Sequence, residues 1–244
     1  MPNTSGARYF LNGFDLITTK GIKRFVFIPF IVNLVLFSVS LYFIVDYIND
    51  GVTYILELLP AFLSWLSYVL FPIAIIAILL VFALLFGTLS NWIAAPFNGI
   101  LSEKIELHLR NEPMGNEGFS AVVKDIPRTL GRELAKLGYF LPRALVFLIA
   151  FFLLPVIGQI LWFLFGAWMM AIQYCDYPFD NHKIGFKPMR QQLAEDKGRS
   201  FSFGIMVNIF SLIPILNFIV MPVAICGATQ MWVEQLRDNA LSRR

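Results

Sequence analysis

Residues 58–102 read LLPAFLSWLSYVLFPIAIIAILLVFALLFGTLSNWIAAPFNGILS, and none of these 45 side chains is charged. Three more uncharged blocks accompany this one. They comprise residues 25–45, 144–175 and 200–233. The helices of a soluble core keep one polar face and have no need of such segregation, whereas each uncompensated charge in the middle of a bilayer costs roughly 3 kcal/mol or more. The sequence therefore predicts an integral membrane protein.

The overall composition agrees with this class and argues against several others. The chain is 58% hydrophobic and has a mean hydropathy of +0.70. Its net charge of +3 is too small to indicate nucleic-acid binding. The cysteines, Cys175 and Cys226, lie in or beside apolar blocks and are interpreted as packing residues. Because the sequence contains no recognisable phosphate loop, metal cluster or nucleophile–base pair, we expect no enzyme, no cofactor and no metal.

The block lengths indicate how the chain enters the membrane. Residues 25–45 would reach about 32 Å as a helix, enough for one crossing. A second crossing is expected to begin near Pro72 and to continue into the cytoplasm, so that this helix covers residues 72–110. Blocks 144–175 and 200–233 are longer than one transmembrane helix needs and too short for two transmembrane helices joined by a turn. Each fits two half-depth helices with a turn near its proline, Pro155 or Pro214.

The positions of lysine and arginine support the same topology. The hydrophilic segments carry four bases in residues 1–24, none in 46–57, seven in 103–143, five in 176–199 and three in 234–244. If the last two apolar blocks enter and return on one side, all 19 bases lie inside, as the positive-inside rule favours.

We therefore predict a single all-α membrane domain with two full transmembrane helices and two re-entrant helical hairpins, with both termini in the cytoplasm. Residues 1–24 would form an interfacial helix and an anion-binding turn, and residues 119–143 a basic amphipathic helix. A plain four-helix bundle is the alternative.

The first candidate site is Thr18-Thr19-Lys20-Gly21-Ile22-Lys23-Arg24, directly before the first crossing. Glycine permits a tight turn, and the start of the following helix offers unpaired N–H groups. With Lys23 and Arg24, these donors suit a tetrahedral oxyanion. The alternative is that the bases only anchor the helix at the cytoplasmic surface.

The second candidate is a basic helix face. Its members are spaced four residues apart: Lys124, Arg128, Arg132 and Lys136. They could form a vestibule that concentrates anions or could contact anionic lipid headgroups.

Further polar residues would line a pathway or its mouth. Glu106 and Arg110 have the favourable i, i+4 order of a helical ion pair, and Glu103 precedes them. Amides within apolar blocks either join helices or line a wet path. The pathway candidates are Asn33, Asn91, Trp92 and Asn98. Residues 176–182 (DYPFDNH) are interpreted as a turn rather than a metal site.

Four longer segments carry a family resemblance. They are residues 21–29 (GIKRFVFIP), 91–99 (NWIAAPFNG), 173–183 (QYCDYPFDNHK) and 222–229 (PVAICGAT). Together they resemble the CysZ family of bacterial sulfate permeases, and the similarity covers nearly the whole chain. The resemblance implies an inner-membrane oligomer that admits sulfate for reduction into cysteine without ATP hydrolysis, and two crossings with half-penetrating hairpins.

The family's sulfate-binding motif maps onto Gly21, Ile22, Lys23 and Arg24. Some relatives have arginine where this chain has Lys23, and lysine keeps the charge but loses the bidentate geometry. Sulfate is the expected ligand, with sulfite as a second oxyanion, alongside membrane lipid and further copies of the chain. A proton-coupled sulfate symporter and a non-transporting membrane scaffold are the alternative functions.

Overall fold

The computed structural model describes residues 4–58, 67–113 and 119–243. Every regular element in these ranges is helical, which confirms the prediction of an all-α protein. The helices are α1 (Gly6–Ile17), α2 (Lys23–Leu58), α3 (Ser67–Leu109), α4 (Phe119–Leu153), α5 (Ile157–Asn181), α6 (Phe186–Glu195), α7 (Lys197–Ser211), α8 (Pro214–Met231) and α9 (Arg237–Ser242), with a π-helical turn at Trp232–Leu236.

The chain divides into two compact units, and the first of them covers Phe27–Ala95. It contains most of α2 and the first part of α3. The Phe37 and Phe82 rings meet between these helices, with their centroids 5.9 Å apart. Large apolar side chains are exposed on both helices, including Ile31 and Ile76. Such surfaces are expected of helices that face lipid rather than water.

The second unit joins Met1–Val26 to Pro96–Arg244 and contains the buried core. The helix α1 lies against α7 and α8, and α5 packs on α4, α7 and α8. Aromatic rings fill the contacts. Phe10 meets Phe203 and Phe210 edge to face, and Phe179 lies 4.5 Å from the Trp232 ring. The N-terminal helix is therefore an integral part of this core.

Glycines allow these helices to approach one another closely. A Cβ atom on Gly227 of α8 would lie 2.4 Å from the Tyr9 carbonyl oxygen of α1, and one on Gly204 of α7 would lie 1.8 Å from the Ala167 carbonyl oxygen of α5. Real Cβ atoms do not tolerate such distances. Small residues at the contact are the usual means by which membrane helices bring their backbones together.

The chain reverses between helices near Pro155 and Pro214, the two prolines at which the sequence predicts a turn. Between α4 and α5 the Ile157 amide donates to the Pro155 carbonyl over 2.8 Å, around Val156 with φ 68° and ψ −54°. This γ-turn is a strained conformation for a β-branched residue. The second reversal, between α7 and α8, places Pro214 at the first position of α8, where proline is favoured.

Two helical stretches in the described ranges are long and apolar enough to span a membrane. They are Arg128–Leu153 and Ile157–Asn181, the arms of the first hairpin. A shorter apolar stretch, Leu34–Ile44, lies within the first predicted crossing. The second predicted crossing lies along α3. Length and composition thus support a membrane protein.

We expect Gly227→Ala to destabilise the protein by roughly 1–3 kcal/mol, because the new methyl group would force α1 away from α8. Thermal unfolding of the purified protein in detergent measures this. Gly138→Ala is the matched control, since a Cβ there meets no atom within 4 Å and alanine is the better helix former. Equal melting temperatures for the two variants would contradict the close approach of α1 and α8.

Candidate anion-binding site

A tight turn joins α1 to α2 and contains the residues predicted to bind an anion. The Thr18 hydroxyl donates to the Asp15 carbonyl over 2.8 Å, and the Ile22 amide donates to the Thr19 carbonyl over 3.1 Å. Between them, Gly21 has a φ of 89°. This value lies in the left-handed region, which glycine adopts readily and other residues adopt at a cost. The turn therefore depends on glycine at this position.

The residues that follow Gly21 have contrasting surroundings. Ile22 is fully buried in the core, whereas Lys23 and Arg24 are exposed. The Arg24 guanidinium lies over the Phe25 ring, 4.8 Å from its centroid, which steadies the side chain by a cation–π contact. Ile22 thus anchors the turn while the two basic side chains remain accessible to solvent.

The charges of Lys23 and Arg24 are not neutralised by the part of the protein that the structure describes. Neither side chain has a carboxylate within ion-pair distance in the described ranges. Because α2 begins at Lys23, the amides of Lys23 and Arg24 also lack acceptors within the helix, whereas the Phe25 amide donates to the Ile22 carbonyl over 2.9 Å. Cationic side chains beside unpaired amides are the combination that binds a tetrahedral oxyanion.

The basic face of α4, in contrast, packs against two carboxylates of α5. Arg132 Nε lies 2.8 Å from Asp176 Oδ1, and Lys136 Nζ lies 3.1 Å from Asp176 Oδ2. Arg128 pairs with Asp180, with 3.0 Å between Nη2 and Oδ2. Arg132 and Lys136 are buried. These bases are therefore largely compensated within the protein, and their charge is less available to an anion than that of the turn.

A second buried cluster surrounds Glu106 near the end of α3. His182 places Nε2 2.9 Å from both carboxylate oxygens, and Arg237 Nε lies 3.2 Å from Oε1. Arg110, the partner expected from the sequence, lies 3.8 Å away and also pairs with Glu112. Burial opposes ionisation of Glu106. The hydrogen bonds and charge of His182, together with the charge of Arg237, outweigh burial and lower the pKa of Glu106 below its usual value.

Amide side chains fasten the last part of α3 to α5. The Asn98 amide donates to the Tyr177 hydroxyl over 3.1 Å, and the Asn181 amide donates to the Gly99 carbonyl over 3.0 Å. Asn98 is buried. Asn98 therefore forms a contact between α3 and α5.

The structure describes the remaining residues predicted from the sequence in less detail. Glu103 is paired with the neighbouring Lys104 at 3.6 Å. The backbone of Asn33 lies in α2, and that of Asn91 and Trp92 lies in α3. Side chains that fall outside the described part of the structure are those of Asn33, Asn91, Trp92 and Lys124.

The carboxylates that pair with the basic face of α4 were not among the residues predicted from the sequence. The prediction of a turn over residues 176–182 is wrong, because α5 continues to Asn181 and the turn comes only at His182 and Lys183. Asp176 and Asp180 are four residues apart, so they share one helix face and match the spacing of the arginines on α4. This matched spacing is the signal in the sequence that could have identified the pairs.

Long apolar helices that reverse near their prolines, one of them preceded by an exposed cationic turn, define a helical membrane protein. The family model described as "Sulfate transporter CysZ/Etoposide-induced protein 2.4" matches residues 9–222. The chain therefore belongs to this family.

Proteins named sulfate transporter CysZ are similar to the chain over nearly its whole length. The one from Pectobacterium atrosepticum is 49% identical over 238 residues, covering 96% of this chain and 86% of that protein. Those from Salmonella typhimurium and Vibrio cholerae are also 49% identical, over 94% and 96% of this chain and 92% and 95% of their own lengths.

We expect Glu106→Gln to destabilise the protein at neutral pH by roughly 1–3 kcal/mol, because His182 and Arg237 would lose a charged acceptor. The lowered pKa of Glu106 means that its stabilising contribution is complete above the ordinary value of 4.5 and is lost as the pH falls through the folded-state value. The gap in melting temperature between wild type and variant should therefore narrow below pH 4.5.

Glu195→Gln is the control for this titration, because Glu195 is an exposed carboxylate whose partner, Arg243, is also exposed. It should change stability little at any pH. A gap between wild type and Glu106→Gln that stayed constant down to strongly acidic pH would show that the charge of Glu106 contributes nothing.

Proposed function

We propose that the protein is a sulfate permease of the bacterial inner membrane, which admits sulfate for assimilation into cysteine without hydrolysing ATP. The observation that carries the proposal is the exposed, uncompensated pair Lys23 and Arg24 on the Gly21 turn at the start of α2. Membership of a family whose relatives are named sulfate transporters supports sulfate as the anion. Membrane lipid and further copies of the chain are its proposed partners.

The chemistry of the turn suits sulfate in particular. Sulfate carries two negative charges over four oxygens, so it can accept from Lys23, from Arg24 and from the first amides of α2 together. The site is exposed, which leaves part of the hydration shell of the ion in place. A permeation site must bind strongly enough to capture the ion and weakly enough to release it. An exposed site meets both requirements.

The hairpin α4–α5 is proposed to enter the membrane from the cytoplasm and to return. The longest uncharged run of α4 is residues 144–153, which span about 15 Å, half of the hydrocarbon thickness. The earlier part of α4 carries the bases that pair with α5, so it belongs outside the hydrocarbon. The uncharged part of α7, residues 200–211, is similarly short. Broken helices of this kind occur in membrane proteins where the chain lines a water-filled pathway.

A proton-coupled sulfate symporter is the second candidate. The observation that favours it is the hydrogen bond between the buried Glu106 and the partly exposed His182, since a carboxylate and an imidazole are the groups that commonly relay protons. Under this alternative, sulfate uptake would depend on a pH gradient. Under the permease proposal it would follow the sulfate gradient alone.

We expect Lys23→Ala combined with Arg24→Ala to lower the initial rate of radiolabelled sulfate uptake into proteoliposomes at least about tenfold, because two charge-assisted contacts to the ion are lost. Wild-type uptake should persist when a protonophore removes the pH gradient. If uptake collapses with the gradient, the protein is a symporter.

The control is Arg8→Ala combined with Lys197→Ala, which removes two exposed bases on α1 and α7. This variant should transport sulfate as the wild type does. Equal uptake by the turn variant and this control would reject the assignment of the site while leaving the transport function open to other residues.

We expect a cysteine at position 51 to react with an impermeant maleimide from the periplasmic side, and one at position 185 to react only from the cytoplasmic side. The background is Cys175→Ala with Cys226→Ala, since both native thiols are buried. Labelling of intact and permeabilised cells gives the comparison. A plain bundle of four crossings would expose position 185 to the periplasm, so labelling there in intact cells would exclude the re-entrant hairpin.

A further inference from the structure

Two guanidinium groups converge on one aromatic ring where α4 meets α6. The Arg143 guanidinium carbon lies 3.8 Å from the centroid of the Tyr139 ring, and that of Arg190 lies 4.2 Å from the same centroid. Arg190 also lies over Phe186 at 5.5 Å. A cation–π contact attracts the cation without neutralising it. The two positive charges are thus held against the same ring.

The charges at this ring are not compensated by the described protein. Within the described ranges neither Arg143 nor Arg190 has a carboxylate at ion-pair distance. One N–H of Arg143 donates to the Tyr139 carbonyl over 2.9 Å, which leaves the rest of its donor fork free. Since like charges repel, an anion bound beside the ring would remove an unfavourable interaction as well as satisfy the donors.

The ring that carries these charges is firmly fixed by its neighbours. The Trp168 indole N–H of α5 donates to the Tyr139 hydroxyl over 3.1 Å, and Trp168 stacks on Phe201 of α7. Phe186 of α6 meets Tyr139 edge to face. Four helices therefore contribute to one aromatic platform, and the arginines are presented on a rigid support.

The position of the platform along α4 indicates the kind of anion. Arg143 is the last charged residue before the uncharged block 144–175, so it lies at the boundary between polar and apolar chain. An exposed apolar side chain lies one turn beyond it on the same side of α4: Val146, three residues after Arg143, is 63% exposed. Tyrosine and tryptophan are typical of the same boundary in membranes. A ligand seated here would have its anionic part against arginine and its apolar part against valine.

We propose that Tyr139, Arg143 and Arg190 form a binding site for the phosphate of an anionic phospholipid headgroup, with the acyl chains along the exposed apolar surface of α4 that begins at Val146. The proposal concerns a surface separate from the turn at Gly21 and does not depend on how sulfate crosses the membrane. Guanidinium groups recognise phosphate oxygens through paired N–H donors, and basic residues at a membrane surface select anionic over neutral lipids.

The test is native mass spectrometry of the full-length protein in detergent, titrated with dioctanoyl phosphatidylglycerol or with the neutral dioctanoyl phosphatidylcholine. We expect the wild type to prefer phosphatidylglycerol by at least about tenfold, and Arg143→Gln with Arg190→Gln to lose this preference. Arg8→Gln with Lys197→Gln removes the same charge elsewhere on the surface and should keep the preference. Equal loss in both variants, or loss in neither, would overturn the proposal.

Two further measurements distinguish a lipid site from a site for a free anion, and charge recognition from shape recognition. Inorganic phosphate in excess should leave phosphatidylglycerol binding unchanged. Full displacement by phosphate would mean that the site takes a free anion and not a lipid. Arg143→Lys with Arg190→Lys keeps both charges and should retain a preference for phosphatidylglycerol. If it bound phosphatidylglycerol no better than the glutamine variant at an unchanged melting temperature, charge would not be the recognised feature.

Discussion

Charge compensation around Asp176 is the interaction on which the placement of the first hairpin depends. Asp176 is buried together with Arg132 and Lys136. A buried charge without a partner costs several kcal/mol, so these groups can leave water only together, and α4 must lie along α5 in the register that brings them into contact. Once that register is fixed, the uncharged end of α4 can only run beside α5 toward Val156, where the chain reverses. The strained turn is a consequence of the ion pairs further down the hairpin.

The presence or absence of an internal carboxylate also separates the cations of the protein into two groups. Arg128 and Arg132 are occupied by carboxylates, so a passing anion would have to compete with an internal partner. Arg24 and Arg143 instead rest on aromatic rings, which orient a guanidinium without neutralising it. Aromatic support alone does not make a base available, because Lys136 lies 5.9 Å from the Tyr177 ring centroid and is still paired with Asp176. What distinguishes the turn before α2 from the basic face of α4 is that its bases have no carboxylate partner in the part of the chain that the structure describes.

How much the sequence could predict follows from the range of the interactions concerned. The helical class, the two reversals near Pro155 and Pro214 and the Gly21 turn depend on local composition and backbone preference, so the sequence was sufficient for them. The partners of Arg132 and Glu106 come from other helices, more than forty residues away along the chain. Matched four-residue spacing can suggest such pairs, as it does for Asp176 and Asp180, but no pattern within one segment shows which other helix it faces. The close contact of Gly227 with Tyr9 was out of reach for the same reason, because one glycine among sixteen carries no sign of what it faces.

The anion site proposed at the turn is exposed, and its residues suit the modest affinity that a permease requires. Lys23 offers a point charge in place of a bidentate fork, and it stays strongly hydrated. The guanidinium of Arg24 is partly engaged by the Phe25 ring. Both features lower the affinity of the turn for a dianion without reducing the electrostatic field that attracts the ion. A tighter site, buried and fully bidentate, would gain occupancy but slow release, and release sets the rate once the site is full.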